Sequence, residues 1–196
     1  MRALLEPLPR ADGVACFTRL YLEVTTVVQA ELAGAGFADP RFLERLDVVF
    51  AGLFFDTVDA DARGSSDVLA AWRPLFDARS RRGIAPLQFA LAGMNAHINR
   101  DLAVALATVW AEIGIDPRPG SPQHADFDRV NEILARVEQR VRDEYLTGWL
   151  NTLDRRLHRF DRMSYVLAMW NVRRARGTAW VNGAALWAMK IGRAHV

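Results

Sequence analysis

Gly93-Met94-Asn95-Ala96-His97-Ile98-Asn99-Arg100-Asp101-Leu102 sets five polar side chains in the middle of a stretch, Leu87 to Ile113, that is otherwise almost wholly apolar. Outside this belt only Gln88, Thr108 and Glu112 interrupt the run of Leu, Phe, Ala, Val, Ile, Met and Trp. Gly83-Ile84-Ala85-Pro86 opens the stretch and Gly114 closes it, which predicts one helix roughly 40 Å long at 1.5 Å per residue. A helix apolar on nearly all sides belongs at the centre of its domain. Polar groups carried there find partners or cost on the order of 1–3 kcal/mol each. The stretch therefore points to a helical fold and marks where a site is expected.

Outward from it, the pattern is helix after helix. Phe17, Leu20, Tyr21, Val24, Val27, Val28 and Leu32 recur at three- and four-residue steps, with Asp12 as N-cap and Gly34 and Gly36 at the end. Asp39-Pro40 supplies a cap and a first-turn proline for a second helix reaching about Asp61, with Phe42, Leu43, Leu46, Phe50, Leu53, Phe54 and Val58 on its apolar stripe. Gly64-Ser65-Ser66 breaks the pattern, and a short helix is expected from Asp67 before Pro74 restarts or kinks the chain near Trp72. Ile115 to Gln123, with Pro117, Pro119, Gly120 and Pro122, is a loop. The next helix turns Phe127, Val130, Leu134, Val137, Val141 and Tyr145 inward and pairs Glu132 with Arg136 and Glu138 with Arg142 outside. After a break between Gly148 and Arg159, a last helix from about Asp161 carries Met163, Val166, Leu167, Trp170, Trp180, Gly183, Ala184 and Trp187. Nothing repeats and nothing alternates as a strand does. The expected fold is all-α, a single-domain bundle of about six helices.

At 196 residues and 51% hydrophobic, the chain suits one well-buried core. Without a long uncharged apolar run or a secretory leader, it is expected to be cytoplasmic and not membrane-bound. The single cysteine, Cys16, makes neither a disulfide framework nor a cysteine-rich zinc site and reads as a small core thiol. Lys190-Ile191-Gly192-Arg193-Ala194-His195-Val196 looks like the translation of a sequencing-adapter junction. Lys190 is the only lysine in the chain. On that reading the helical domain is 1–189, truncated at its C-terminus, 190–196 is foreign, and His195 is no site residue. Without Lys190 and Arg193 the 25 basic residues fall to 23, equal to the 23 acidic ones, and the net charge goes from +2 to zero. No electrostatic footprint for nucleic acid then remains, and Arg173-Arg174-Ala175-Arg176 reads as a solvated helix face.

At 100° per residue His97 and Asp101 share one face with Ala90, Met94 and Ala105, while Asn95 and Asn99 lie further round. A carboxylate beside an imidazole fixes its tautomer and raises its basicity, which serves a general base, a metal ligand or a structural hydrogen bond equally well. Gly93, one turn earlier, lets another helix or a ligand approach the backbone. Asp47 stands near the edge of the second helix's buried stripe, whereas Asp56 and Asp59 project away from it. His124 stands at a helix N-terminus where Ser121 or Asp126 can cap, and His158 lies among Arg155, Arg156 and Arg159 as surface. His97 and Asp101 are the candidate catalytic pair, with Asn95, Asn99, Asp47 and His124 as candidate ligand-binding residues. If His97, Asp101, His124 and Asp47 met, they would offer the ligands of a mononuclear metal hydrolase. No HExxH, GxSxG, Walker loop or GxGxxG accompanies them, no metal site is assigned and no cofactor is readable.

Cys16-Phe17-Thr18-Arg19-Leu20-Tyr21, Leu46-Asp47-Val48-Val49-Phe50, Ala71-Trp72-Arg73-Pro74-Leu75-Phe76, Gln88-Phe89-Ala90-Leu91-Ala92-Gly93-Met94-Asn95-Ala96-His97-Ile98-Asn99 and Asp128-Arg129-Val130-Asn131 resemble the bacterial domain-of-unknown-function family 5995. The resemblance spans about Gly13 to Met189 and implies no activity. Relatives carry His-Asp after the Gly-Met-Asn-Ala-His-Ile-Asn segment, where this chain has Arg100-Asp101, so a metal motif at positions 97 and 100 would be broken here. The resemblance also implies a chain that continues further. Three functions follow: binding a small ligand or a partner in a pocket beside His97, hydrolase-like chemistry on His97 and Asp101, or assembly through an apolar face around Trp180 and Trp187. The oligomeric state is not readable.

Overall fold

Asp12 starts the first long helix by accepting hydrogen bonds from the amides of Val14 (2.8 Å) and Ala15 (3.2 Å). In the computed structural model, which describes residues 1–32, 36–134 and 172–194, that helix is α2 (Gly13–Leu32), preceded by the single turn α1 (Arg2–Leu5). Asp39 caps α3 (Pro40–Ala62) through the amide of Phe42 at 3.1 Å. α4 (Arg73–Phe76) is one turn long and has Pro74 in its first turn. The short helix expected from Asp67 does not start there, because Ser65 Oγ accepts from the Asp67 amide and makes a turn; of the two outcomes expected at Pro74, the chain restarts as a helix.

The long apolar stretch is helical from Pro86 to Ile113 as α5 (Pro86–Ala96), a π-helical turn (His97–Asp101) and α6 (Leu102–Ile113). Gly114 ends it in the left-handed conformation at φ 68°. Residues 122–134 form α7, with Ser121 Oγ accepting from the His124 amide, and α8 spans Val172–Ala194. Among the described residues there is no strand, and the chain is a single all-α domain.

α5 packs on α2, and α6 packs on α3 and α8. Two aromatic-rich clusters result. Phe17, Phe54, Trp72, Phe76 and Phe89 gather beside α5, while Phe42, Leu106, Trp110, Phe127 and Trp180 gather around α6. Trp180 is thus core rather than the exposed face that assembly would use; among the described residues the exposed large apolar side chains are Val48, Ile113, Val181 and Met189. Asp56 and Asp59 are exposed as expected, and Cys16 is buried.

In α7 the inward face holds Asp126, Phe127, Asn131 and Ile133, with Val130 and Leu134 half-buried and Glu132 exposed. Asp126 is inside because its carboxylate accepts from the amides of Ala38 (3.0 Å) and Asp39 (2.7 Å), tying α7 to the start of α3. Arg176 corrects the solvated reading of the arginine run: Arg173 and Arg174 are exposed, but Arg176 is buried. The positions read further along, from Arg136 through His158 to Trp170, and also His195, lie outside the described residues.

Candidate functional site

In the π-helical turn the amide of Leu102 donates to the carbonyl of His97, five residues back instead of the usual four. The wider turn brings the two side chains of interest together. His97 Nδ1 lies 3.1 Å from Asp101 Oδ2, and the residues are only 3% and 0% exposed. Two further donors converge on the same carboxylate: Trp72 Nε1–H on Oδ2 at 3.0 Å and Arg100 Nη1–H on Oδ1 at 2.8 Å. The indole and the guanidinium can only donate, so both oxygens of Asp101 act as acceptors and His97 Nδ1 carries the hydrogen. Nε2 is left with its lone pair. Arg100 is half-buried and pairs with Asp101 rather than reaching His97.

Aromatic rings enclose the imidazole. Phe50 stacks on it at 3.6 Å between centroids and 7° between planes, and Tyr21 meets it edge-on at 4.7 Å. Phe17 approaches to 5.9 Å, in the space that the missing side chain of Gly93 leaves. What comes close to Gly93 is a neighbouring helix.

Burial pushes the His97 pKa down, and Asp101 draws it back only in part. The unfolded imidazole keeps its ordinary value of 6.5. Below that pH the unfolded chain binds a proton that the folded chain refuses, so stability is full above it and falls as the pH drops toward the folded pKa. The slope from this one group reaches about 1.4 kcal/mol per pH unit. Urea unfolding between about pH 7.5 and pH 5 should show a steeper loss for the wild type than for His97→Phe, and parallel slopes would contradict a neutral imidazole.

His97 and Tyr21 form part of the wall of a cavity of about 600 Å³ bounded by α2, α3, the π-helical turn, α7 and α8. Leu20, Val24, Phe37, Met94 and Ile98 supply its apolar surface; Tyr21, Asp47, His97, Asn131 and Arg176 supply polar groups. Exposed Gln29, Glu44 and Arg173 mark its mouth. Asp47 also lies on the solvent side, yet partial burial of its carboxyl raises its pKa. Burial foremost, then the charges of Asp47 and Asp101, keeps the Tyr21 phenol protonated. Four buried side-chain polar atoms of the described residues have no protein partner, and two of them, Tyr21 Oη and His97 Nε2, belong to this wall.

The expected site residues therefore separate. His97 and Asp47 reach the cavity, and Asp101 stands behind His97. Asn95 and Asn99 are exposed and bond to each other, Asn99 Nδ2 donating to Asn95 Oδ1 at 2.7 Å. His124 packs edge-on against Trp180 at 4.6 Å and accepts from the Gly120 amide at 3.4 Å, away from the cavity wall. Among the described residues no three His, Cys, Asp or Glu side chains are close enough together to hold a metal ion. The four residues considered for a mononuclear centre do not assemble. Tyr21, Trp72, Asn131 and Arg176 enter the site unannounced: Tyr21 and Trp72 read as core positions, and Arg176 as one of a charged run.

Residues 1–195 match the model of a family described as "Family of unknown function (DUF5995)". The chain belongs to that family. No curated protein and no solved structure matches it. Among the described residues, no helix is long and apolar enough to cross a membrane.

Proposed function

We propose that this protein binds a small, mostly apolar molecule in the cavity beside His97, with one donor group of the ligand bonded to His97 Nε2. The observation that carries the reading is the pair of buried, unpartnered polar atoms, Nε2 and Tyr21 Oη, in the wall of an otherwise apolar cavity of about 600 Å³. A cavity of about 300–1,000 Å³ with a few convergent polar groups is the form a small-molecule site takes. A buried acceptor left unpaired costs about 1–3 kcal/mol, which a ligand hydroxyl would offset. Both atoms are almost shut off from solvent, so the ligand reaches them by turning a wall side chain such as Phe50 or Met94 aside.

Binding is favoured over hydrolysis through a covalent side-chain intermediate by what surrounds the imidazole. No Ser, Thr or Cys of the described residues bonds to Nε2, so no side-chain nucleophile is paired with it. Asp101 holds Nδ1–H and leaves Nε2 a neutral acceptor, which a ligand hydroxyl would fill.

Decanol tests the reading. Calorimetry should show saturable binding by the wild type, weakened about tenfold in His97→Phe through loss of one hydrogen bond. Absence of saturable binding by the wild type, for decanol and for decanoate alike, overturns it.

A further inference from the structure

Arg176 is the one strongly charged group carried deep into the cavity wall. It comes from α8, is 8% exposed and lays its guanidinium over the Phe127 ring at 4.2 Å from the centroid. Nε donates to Asn131 Oδ1 and Nη2 donates to the Phe127 carbonyl at 3.4 Å. Asn131 is in turn held by Asp128, its Nδ2 donating to Oδ1 at 3.3 Å. These contacts fix the plane of the guanidinium but use only two of its five N–H groups.

None of these contacts is with a carboxylate, and no described carboxylate lies within ion-pair distance of Arg176. Burial lowers its pKa to about 10, which still leaves it charged at neutral pH. Asp128, which also holds Asn131, acts on it as an opposing charge from beyond ion-pair distance, and a buried cation so weakly compensated is among the costliest groups a fold can carry. Two features say what kind of anion suits it. The planar fork matches a carboxylate through two parallel hydrogen bonds. Most of the wall beside it is apolar, with Leu20, Val24, Phe37 and Ile98 lining the space.

We infer that the ligand is an amphiphile whose carboxylate pairs with Arg176 and whose hydrocarbon body lies along the apolar wall. The inference rests on the binding reading above and adds the chemical class of the ligand. Arg173, exposed at the mouth, adds positive charge on the way in.

Matched decanoate and decanol separate the two levels of the claim. Wild-type protein should bind decanoate at least about tenfold more tightly than decanol, because only the acid meets Arg176 as an ion pair. Arg176→Met should lose the preference for the acid, binding decanoate no more tightly than decanol, while keeping its hold on decanol. Equal affinities in the wild type, or an acid preference that survives in folded Arg176→Met, would overturn the carboxylate inference and leave cavity binding standing. Binding of neither compound would remove the cavity reading and this inference with it. If Arg176→Met does not fold, Arg176→Lys takes its place. It keeps the charge and loses the fork, so the acid preference should fall several-fold, and an unchanged preference overturns the inference.

Discussion

Replacing Asp101 with leucine should destabilise the fold by about 3–5 kcal/mol, the range for removing one partner of a buried charged network. Leucine fills a similar volume, so the loss isolates the hydrogen bonds from the packing. Three donors lose their acceptor at once: Trp72 Nε1–H, His97 Nδ1–H and Arg100 Nη1–H. Arg100 is half-buried and can turn toward water, but Trp72 is fully buried and His97 nearly so. Neither of those can find solvent without opening the aromatic cluster around Phe17 and Phe54. Asp101→Asn keeps one carbonyl acceptor and should cost less than half as much. Urea unfolding with tryptophan fluorescence measures both, and a loss below about 1 kcal/mol for Asp101→Leu would show that the network is not a structural hub.

Gly93→Ala should cost about 3 kcal/mol, although alanine normally improves a helix interior by up to about 1 kcal/mol over glycine. A Cβ at this position would overlap the Phe17 ring, with Cγ the nearest atom, Cδ2 at 2.5 Å and the Phe17 Cβ at 2.8 Å. Phe17 has nowhere to go. Its ring is held edge-on by Phe54 at 5.0 Å and Trp72 at 5.4 Å and stacked by Tyr21 at 5.7 Å. The overlap can be relieved only by separating α2 from α5, which opens the same cluster that holds His97. Gly177→Ala is the control, because nothing lies within 4 Å of its added Cβ. It should be neutral or slightly stabilising, and a thermal unfolding midpoint for Gly93→Ala equal to that of Gly177→Ala would refute the close-approach account.

Helix positions and caps were legible residue by residue. Asp12 and Asp39 announced two helix starts because a short side-chain acceptor followed by a periodic apolar run satisfies the orphan amides locally. Whether Pro74 restarts or kinks the chain was not legible, for a matching reason: proline serves equally as a helix opener and as a breaker, and only the fold around Trp72 selects between them. The burial of His97 and Asp101 also followed from the run of apolar neighbours that surrounds them.

Partner identity was not legible. His97 and Asp101 announce each other by their spacing, but Trp72 is 29 positions from Asp101 in the chain. Arg176 looks like Arg173 and Arg174 until α8 is docked on α6 and α7, when one of the three turns inward toward Asn131, 45 positions away. His124 and Asp47 sit on different helices, and periodicity carries no information on whether two helices bring their faces to one cavity. Local hydrogen bonding and apolar spacing act over a turn or two of helix and so can be read from neighbouring residues. The cavity, the neutral state of His97 and the buried cation at its wall depend on which helices pack together. Those properties come into being only when distant segments exclude water from the same space.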